Sequence, residues 1–156
     1  MESKTKKYII GIAIPLAVGG LSALLTQSAM QKFNSLNQPP LAPPSWLFPV
    51  VWTVLFVLMG IASALVYMAD VPREQKKSAL TLYGVQLAMN FLWSIVFFNF
   101  GAYLFAFVWL LALLAVIIAT AVKFRKISKP ADWMLIPYIL WVCFAGYLNF
   151  AIYLLN

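Results

Sequence analysis

QPPLAPPSWLFPVVWTVLFVLMG, residues 38–60, passes from a proline-dense tract into an uncharged apolar helix. Pro39, Pro40, Pro43 and Pro44 each fix φ and lack a backbone N–H, so the tract reads as a stiff loop. Pro49 falls in the first turn of the helix that follows, where a missing N–H costs little. From Trp46 to Met68 no charged residue interrupts the chain, and those 23 residues are enough to cross a bilayer, which takes about 20. The stretch therefore predicts a lid at the mouth of a membrane-spanning helix.

The rest of the chain agrees with a membrane protein. Of its 156 residues, 64% are hydrophobic and 10% charged, where a soluble domain carries about 25% charge. Five uncharged segments are long enough to span: 8–30, 46–68, 80–100, 103–122 and 133–155. The fold expected is all-α, an integral membrane bundle of five transmembrane helices in a single domain, 1–156, with residues 31–45 as the proline-rich lid loop. The segment 8–30 follows Lys4, Lys6 and Lys7 but is longer than a signal-peptide core of about 7–15 residues, and polar Thr26, Gln27 and Ser28 close it. It is read as a retained helix.

Charge sets the expected orientation. The tail holds Lys4, Lys6 and Lys7, the second joint Arg73, Lys76 and Lys77, and the fourth Lys123, Arg125, Lys126 and Lys129. Five spans put these on one side, with only Lys32 of the eleven basic residues opposite. The positive-inside rule then predicts a cytoplasmic N-terminus and an outer C-terminus, with the lid outside. The net charge of +7 reports orientation rather than nucleic-acid binding. Uncharged helical spans suit a bacterial plasma membrane. The chain has no histidine and one cysteine, Cys143, which argues against a metal centre, an intrachain disulfide and histidine-based catalysis.

Polar groups inside apolar spans should face the bundle, because lipid cannot satisfy them. Gln86, Asn90, Trp93 and Phe97 recur at i, i+4, i+7 and i+11, one face of the third span, with Ser94 beside it. Trp141, Ala145 and Asn149 share a face of the fifth span, and Phe48, Trp52, Phe56 and Met59 a stripe on the second. At about 1.5 Å per residue, Trp52 lies roughly 9 Å below the outer surface and Asn90 near the midplane. Converging, these faces would line a cavity under the lid suited to a flat, mostly apolar ring system. Plain helix packing, with amides bonding neighbouring helices, is the competing reading. Pro15 and Pro137 lie inside spans and are expected to kink them. Gly19-Gly20, Gly60-x-x-x-Ala64 and Ala115-x-x-x-Ala119 are small-residue spacings that allow close helix approach, within the bundle more readily than between chains.

Three blocks carry a strong resemblance to the TspO/MBR family, the tryptophan-rich sensory proteins related to the mitochondrial translocator protein. They are Pro39–Gly60 with its core PPSWLFPVVWTVLFVLMG, QLAMNFLWSIVFF at Gln86–Phe98, and Ala131–Asn156. The resemblance implies a five-helix bundle, often a homodimer, that binds porphyrins such as protoporphyrin IX, with the tetrapyrrole as ligand rather than cofactor. It places ligand contacts on Pro43, Pro44, Trp52, Asn90, Trp93, Ser94, Trp141 and Ala145; Phe48, Phe97 and Asn149 join them from spacing. Lys32, Phe33 and Leu41 stand where many relatives carry two tryptophans and a tyrosine in the loop, so the loop loses some of their ring contacts.

The reading expected to hold is a sensory, regulatory or transport protein for porphyrins in contact with the lipid bilayer. A second is light-dependent protoporphyrin breakdown with Trp52 and Trp141 as redox-active residues. A third is passive transport of lipophilic molecules or sterols. Glu2, Asp70, Glu74 and Asp132 all lie in tails or loops, which argues against proton-coupled cation export.

Overall fold

A computed structural model describes residues 2–156, with side chains from residue 4 onward; Met1 lies outside the described residues. The order is α1 (Glu2–Thr26), a 3₁₀ turn (Gln27–Ala29), α2 (Met30–Asn34), α3 (Leu47–Met68), α4 (Arg73–Ser94) running into a π turn (Ile95–Asn99), α5 (Tyr103–Ile127) and α6 (Lys129–Leu155). Five of these stretches are long and apolar enough to cross a membrane. The all-α five-span bundle expected from the sequence is the architecture observed.

Helix ends are set by local chemistry. The Ser128 hydroxyl accepts the Ala131 N–H at 3.4 Å, capping α6 just before Pro130 occupies its first turn. Pro72 precedes α4 at its N-cap. Gly101 takes φ +60° in the tight joint between α4 and α5, where a side chain would be strained. Helices α1 and α6 both continue through their prolines, Pro15 and Pro137. The expected loop 31–45 begins later than its composition suggests, because α2 stays helical to Asn34.

In the bundle α1 packs on α3, α3 on α6, α6 on α5, α5 on α4, and α4 closes the ring against α1. The α1–α3 contact depends on glycine. A Cβ at Gly60 would meet Ile12 Cα and sit 2.6 Å from the Gly11 carbonyl, and one at Gly11 would sit 2.8 Å from the Gly60 carbonyl and 3.2 Å from Ala64 Cβ. Small residues here let two backbones touch, the intrachain use expected of the Gly60–Ala64 spacing. The basic segments meet at one end, where the Lys7 and Lys76 ammonium groups lie 5.6 and 5.7 Å from the Tyr67 ring centroid. Arg125 and Asp132 pair at 3.4 Å there as well. The proline loop lies at the opposite end.

Candidate functional site

The polar face of α4 bonds mainly to α6. Asn90 Nδ2 donates to the Tyr138 hydroxyl at 2.8 Å, and that hydroxyl donates to Gln86 Oε1 at 2.6 Å. One helical step toward the loop, Trp93 Nε1 donates to Asn149 Oδ1 at 3.1 Å, while Asn149 Nδ2 donates to the Tyr103 carbonyl at 2.8 Å. All of Gln86, Asn90, Tyr138, Trp93 and Asn149 are buried. Buried polar groups must find partners, and here they find each other. The amides of Asn90 and Asn149, expected from the sequence to orient a ligand, are thus spent on stitching α4, α5 and α6 together. Tyr138 closes this network and was not among the expected site residues. Its spacing from Trp141, Ala145 and Asn149 (138, 141, 145, 149) is the signal that would have found it.

The rings form two groups joined by Phe48. At the loop end, Phe33 of α2 enters between helices, with its ring centroid 6.3 Å from Phe48, 5.7 Å from Phe97 and 5.3 Å from Phe98. Phe97 in turn stacks on Trp93 at 5.2 Å and meets Tyr103 at 5.0 Å. Phe33 replaces by insertion some of the aromatic contact that the loop was expected to lack. Deeper in the bundle, Trp141 lies 6.1 Å from Phe48 and 6.5 Å edge-on from Trp52, and Trp52 lies 6.3 Å from Tyr138. These are ordinary favourable aromatic separations, each worth about 0.5–1.5 kcal/mol beyond area burial.

The remaining expected residues differ in burial. Ala145 is buried one turn from Trp141, Ser94 is half-buried where the π turn begins, Pro43 is half-buried and Pro44 exposed. The loop is tied down beside them. Asn37 donates its N–H to Asn156 Oδ1 at 3.1 Å, Asn156 Nδ2 donates to the Asn37 carbonyl at 3.1 Å, and the Tyr147 hydroxyl donates to the Pro40 carbonyl at 2.7 Å.

Among the inward tryptophans Trp141 differs. Trp93 is pinned by Asn149, and Trp109 Nε1 donates to the Met89 carbonyl at 2.9 Å. Trp141 Nε1 is buried with no hydrogen-bond partner among the described residues. Beside it runs a groove of about 540 Å³ between α3 and α6, lined by Val50, Val54, Pro137, Leu140, Trp141 and Phe144 among others. A second groove of about 430 Å³ lies between α5 and α6 around Gly146. Among the described residues no group of His, Cys, Asp and Glu gathers closely enough to hold a metal ion. The site can therefore offer ring stacking, apolar contact and the buried, unpartnered indole donor of Trp141.

Residues 11–155 match the TspO/MBR family. The tryptophan-rich protein TspO of Chlorobaculum tepidum is 39% identical over all of this chain and 99% of its own length. The tryptophan-rich sensory protein of Cereibacter sphaeroides is 34% identical over 80% of this chain and 76% of its own, and the translocator protein of Ovis aries 37% over 76% and 70%. With five membrane-crossing helices and near full-length similarity, the chain belongs to the TspO/MBR family of multi-pass membrane proteins.

Proposed function

We propose that this protein binds a porphyrin-like tetrapyrrole against Phe48, Trp52 and Trp141, and that binding serves a sensory or transport role. The observation carrying this reading is the buried, unpartnered Trp141 N–H set among aromatic rings. An unmet buried donor costs about 1–3 kcal/mol, and a ligand acceptor would recover it. A flat macrocycle with polar edge groups supplies both ring faces and acceptors, and the adjoining groove of about 540 Å³ leads to these rings from the side of the bundle. Ala145, Pro43 and Pro44 border the bound ring; Asn90, Trp93, Ser94, Phe97 and Asn149 form and brace the wall behind it. The basic end faces the cytoplasm in this reading, the loop end faces out, and the chain works as a homodimer in a bacterial plasma membrane.

The test is a screen of purified protein by tryptophan fluorescence against protoporphyrin IX, haem and sterols. Saturable quenching by protoporphyrin IX is expected. Failure of every porphyrin to quench at micromolar concentration would overturn the reading.

One arrangement favours a photochemical reading as well. Tyr138, Trp52 and Trp141 form a continuous run of rings at 6.3 and 6.5 Å, along which an indole could supply an electron to a photoexcited porphyrin. Illumination of the complex in air, with dioxygen as the oxidant that ring opening consumes, would then generate a bilin-like absorbance that a Trp52→Phe variant, or the parent protein without dioxygen, does not produce.

A further inference from the structure

The loop end of the proposed site is closed. Phe33 fills the space between Phe48, Phe97 and Phe98, and the segment behind it is fastened by the reciprocal Asn37–Asn156 hydrogen bonds and by Tyr147 on the Pro40 carbonyl. Entry from that end requires withdrawing the half-buried Phe33 ring and breaking those hydrogen bonds, together with the one from Asn37 Nδ2 to the Leu155 carbonyl at 3.3 Å. The side of the bundle is different. The groove between α3 and α6 is apolar, and three of its lining residues, Val50, Val54 and Leu140, are 52%, 54% and 65% exposed on a surface that in a membrane faces lipid. Pro137 lies in its wall. Its floor at one point is Trp141, whose ring also lies 5.5 Å from Phe144 of the groove and reaches Phe48 and Trp52 of the ring cluster.

Trp141 is suited to move. Swinging the Trp93 or Trp109 indole would break a hydrogen bond in a place without water. Swinging Trp141 breaks none, because its N–H has no partner among the described residues. It gives up only ring contacts, and a flat ligand passing the same spot replaces them.

We propose that the ligand of the Trp52–Trp141 site enters sideways from the bilayer through the α3–α6 groove, with the Trp141 indole as a movable gate. The proposal rests on the porphyrin-binding reading and adds its route. A tetrapyrrole of this kind partitions into lipid, so the groove meets it where it is most concentrated. The loop then serves as a fixed cap rather than a door.

Stopped-flow quenching by protoporphyrin IX, with protein in phosphatidylcholine vesicles, separates the routes. A Val50→Phe/Val54→Phe variant fills the groove with bulk that points into lipid and adds no indole. It is expected to slow association and dissociation together, about tenfold, with equilibrium affinity held within about twofold. An Asn37→Ala/Asn156→Ala variant, which loosens the cap, is expected to leave the association rate unchanged. Faster association on loosening the cap, or no slowing on filling the groove, would overturn the proposal. Loss of affinity in parallel with rate would also overturn it, by making the groove the seat of the ligand instead of its path. If the parent protein shows no quenching, the binding reading itself fails, and that result is distinct from all three.

Discussion

The Trp93 indole and the Asn149 amide hold each other across the α4–α6 interface at 3.1 Å, and Asn149 also takes the Tyr103 carbonyl of α5. One amide thus bridges three helices. Replacing Asn149 with Ala leaves the buried Trp93 N–H unmet and removes the tie to the Tyr103 carbonyl, at a cost of about 1–3 kcal/mol. The variant is expected to unfold at lower temperature in detergent while binding protoporphyrin IX with affinity close to the parent's. A large loss of affinity with unchanged stability would place Asn149 in the ligand shell instead.

Tyr138 is predicted to be structural in the same sense. Its hydroxyl receives from Asn90 and gives to Gln86. Tyr138→Phe strands both amides, and interhelical hydrogen bonds within membranes are worth about 0.6–2 kcal/mol each. Thermal unfolding of Tyr138→Phe should show that loss, whereas Tyr147→Phe, which frees only a loop contact, should melt like the parent.

The glycines of the bundle should divide sharply. At Gly60 an added methyl meets the α1 backbone, which has nowhere to go, and overpacking of that kind costs about 1–3 kcal/mol. At Gly84 nothing lies within 4 Å of an added Cβ, so alanine removes a helix-weakening residue at no steric cost. Gly60→Ala is expected to lower the melting temperature and Gly84→Ala to leave it unchanged or raise it. Equal effects would contradict the α1–α3 packing.

Leu41 carries a left-handed backbone, φ 71°, in a turn closed by the Ala42 N–H on the Pro39 carbonyl. A non-glycine residue there stores about 1–2 kcal/mol. Its side chain is 82% exposed, so little packing offsets the strain. Leu41→Gly should therefore make the loop more resistant to protease without altering helix content; a loop cut faster than the parent's would argue against the turn.

The sequence disclosed the faces better than the partners. Period 3.6 put Gln86, Asn90, Trp93 and Phe97 on one side of α4, and all four are buried. Spacing cannot say whether a buried amide looks to a ligand or to another helix, and that choice depended on Tyr138, an aromatic that reads as apolar in a hydropathy pattern. Five uncharged runs announce five helices, but residues 31–34 of α2 form a polar string, QKFN, that reads as loop. Phe33 was visible only as a departure from the family's loop pattern. Its insertion between Phe48 and Phe97 depends on the path the loop takes back over the bundle, which local composition does not encode. The unpartnered Trp141 N–H is likewise a property of what surrounds the ring: Trp93 and Trp109 look no different in sequence.

The most direct test of the central claim is the dissociation constant for protoporphyrin IX in a Trp52→Phe/Trp141→Phe variant, measured against a Trp133→Phe control at the exposed start of α6. Losing the indole donor and both large ring faces should weaken binding at least about tenfold, or 1.4 kcal/mol, with the fold retained by circular dichroism and the control unchanged. Parent-like affinity in the folded double variant would contradict the assignment of Trp52 and Trp141 as the ligand site.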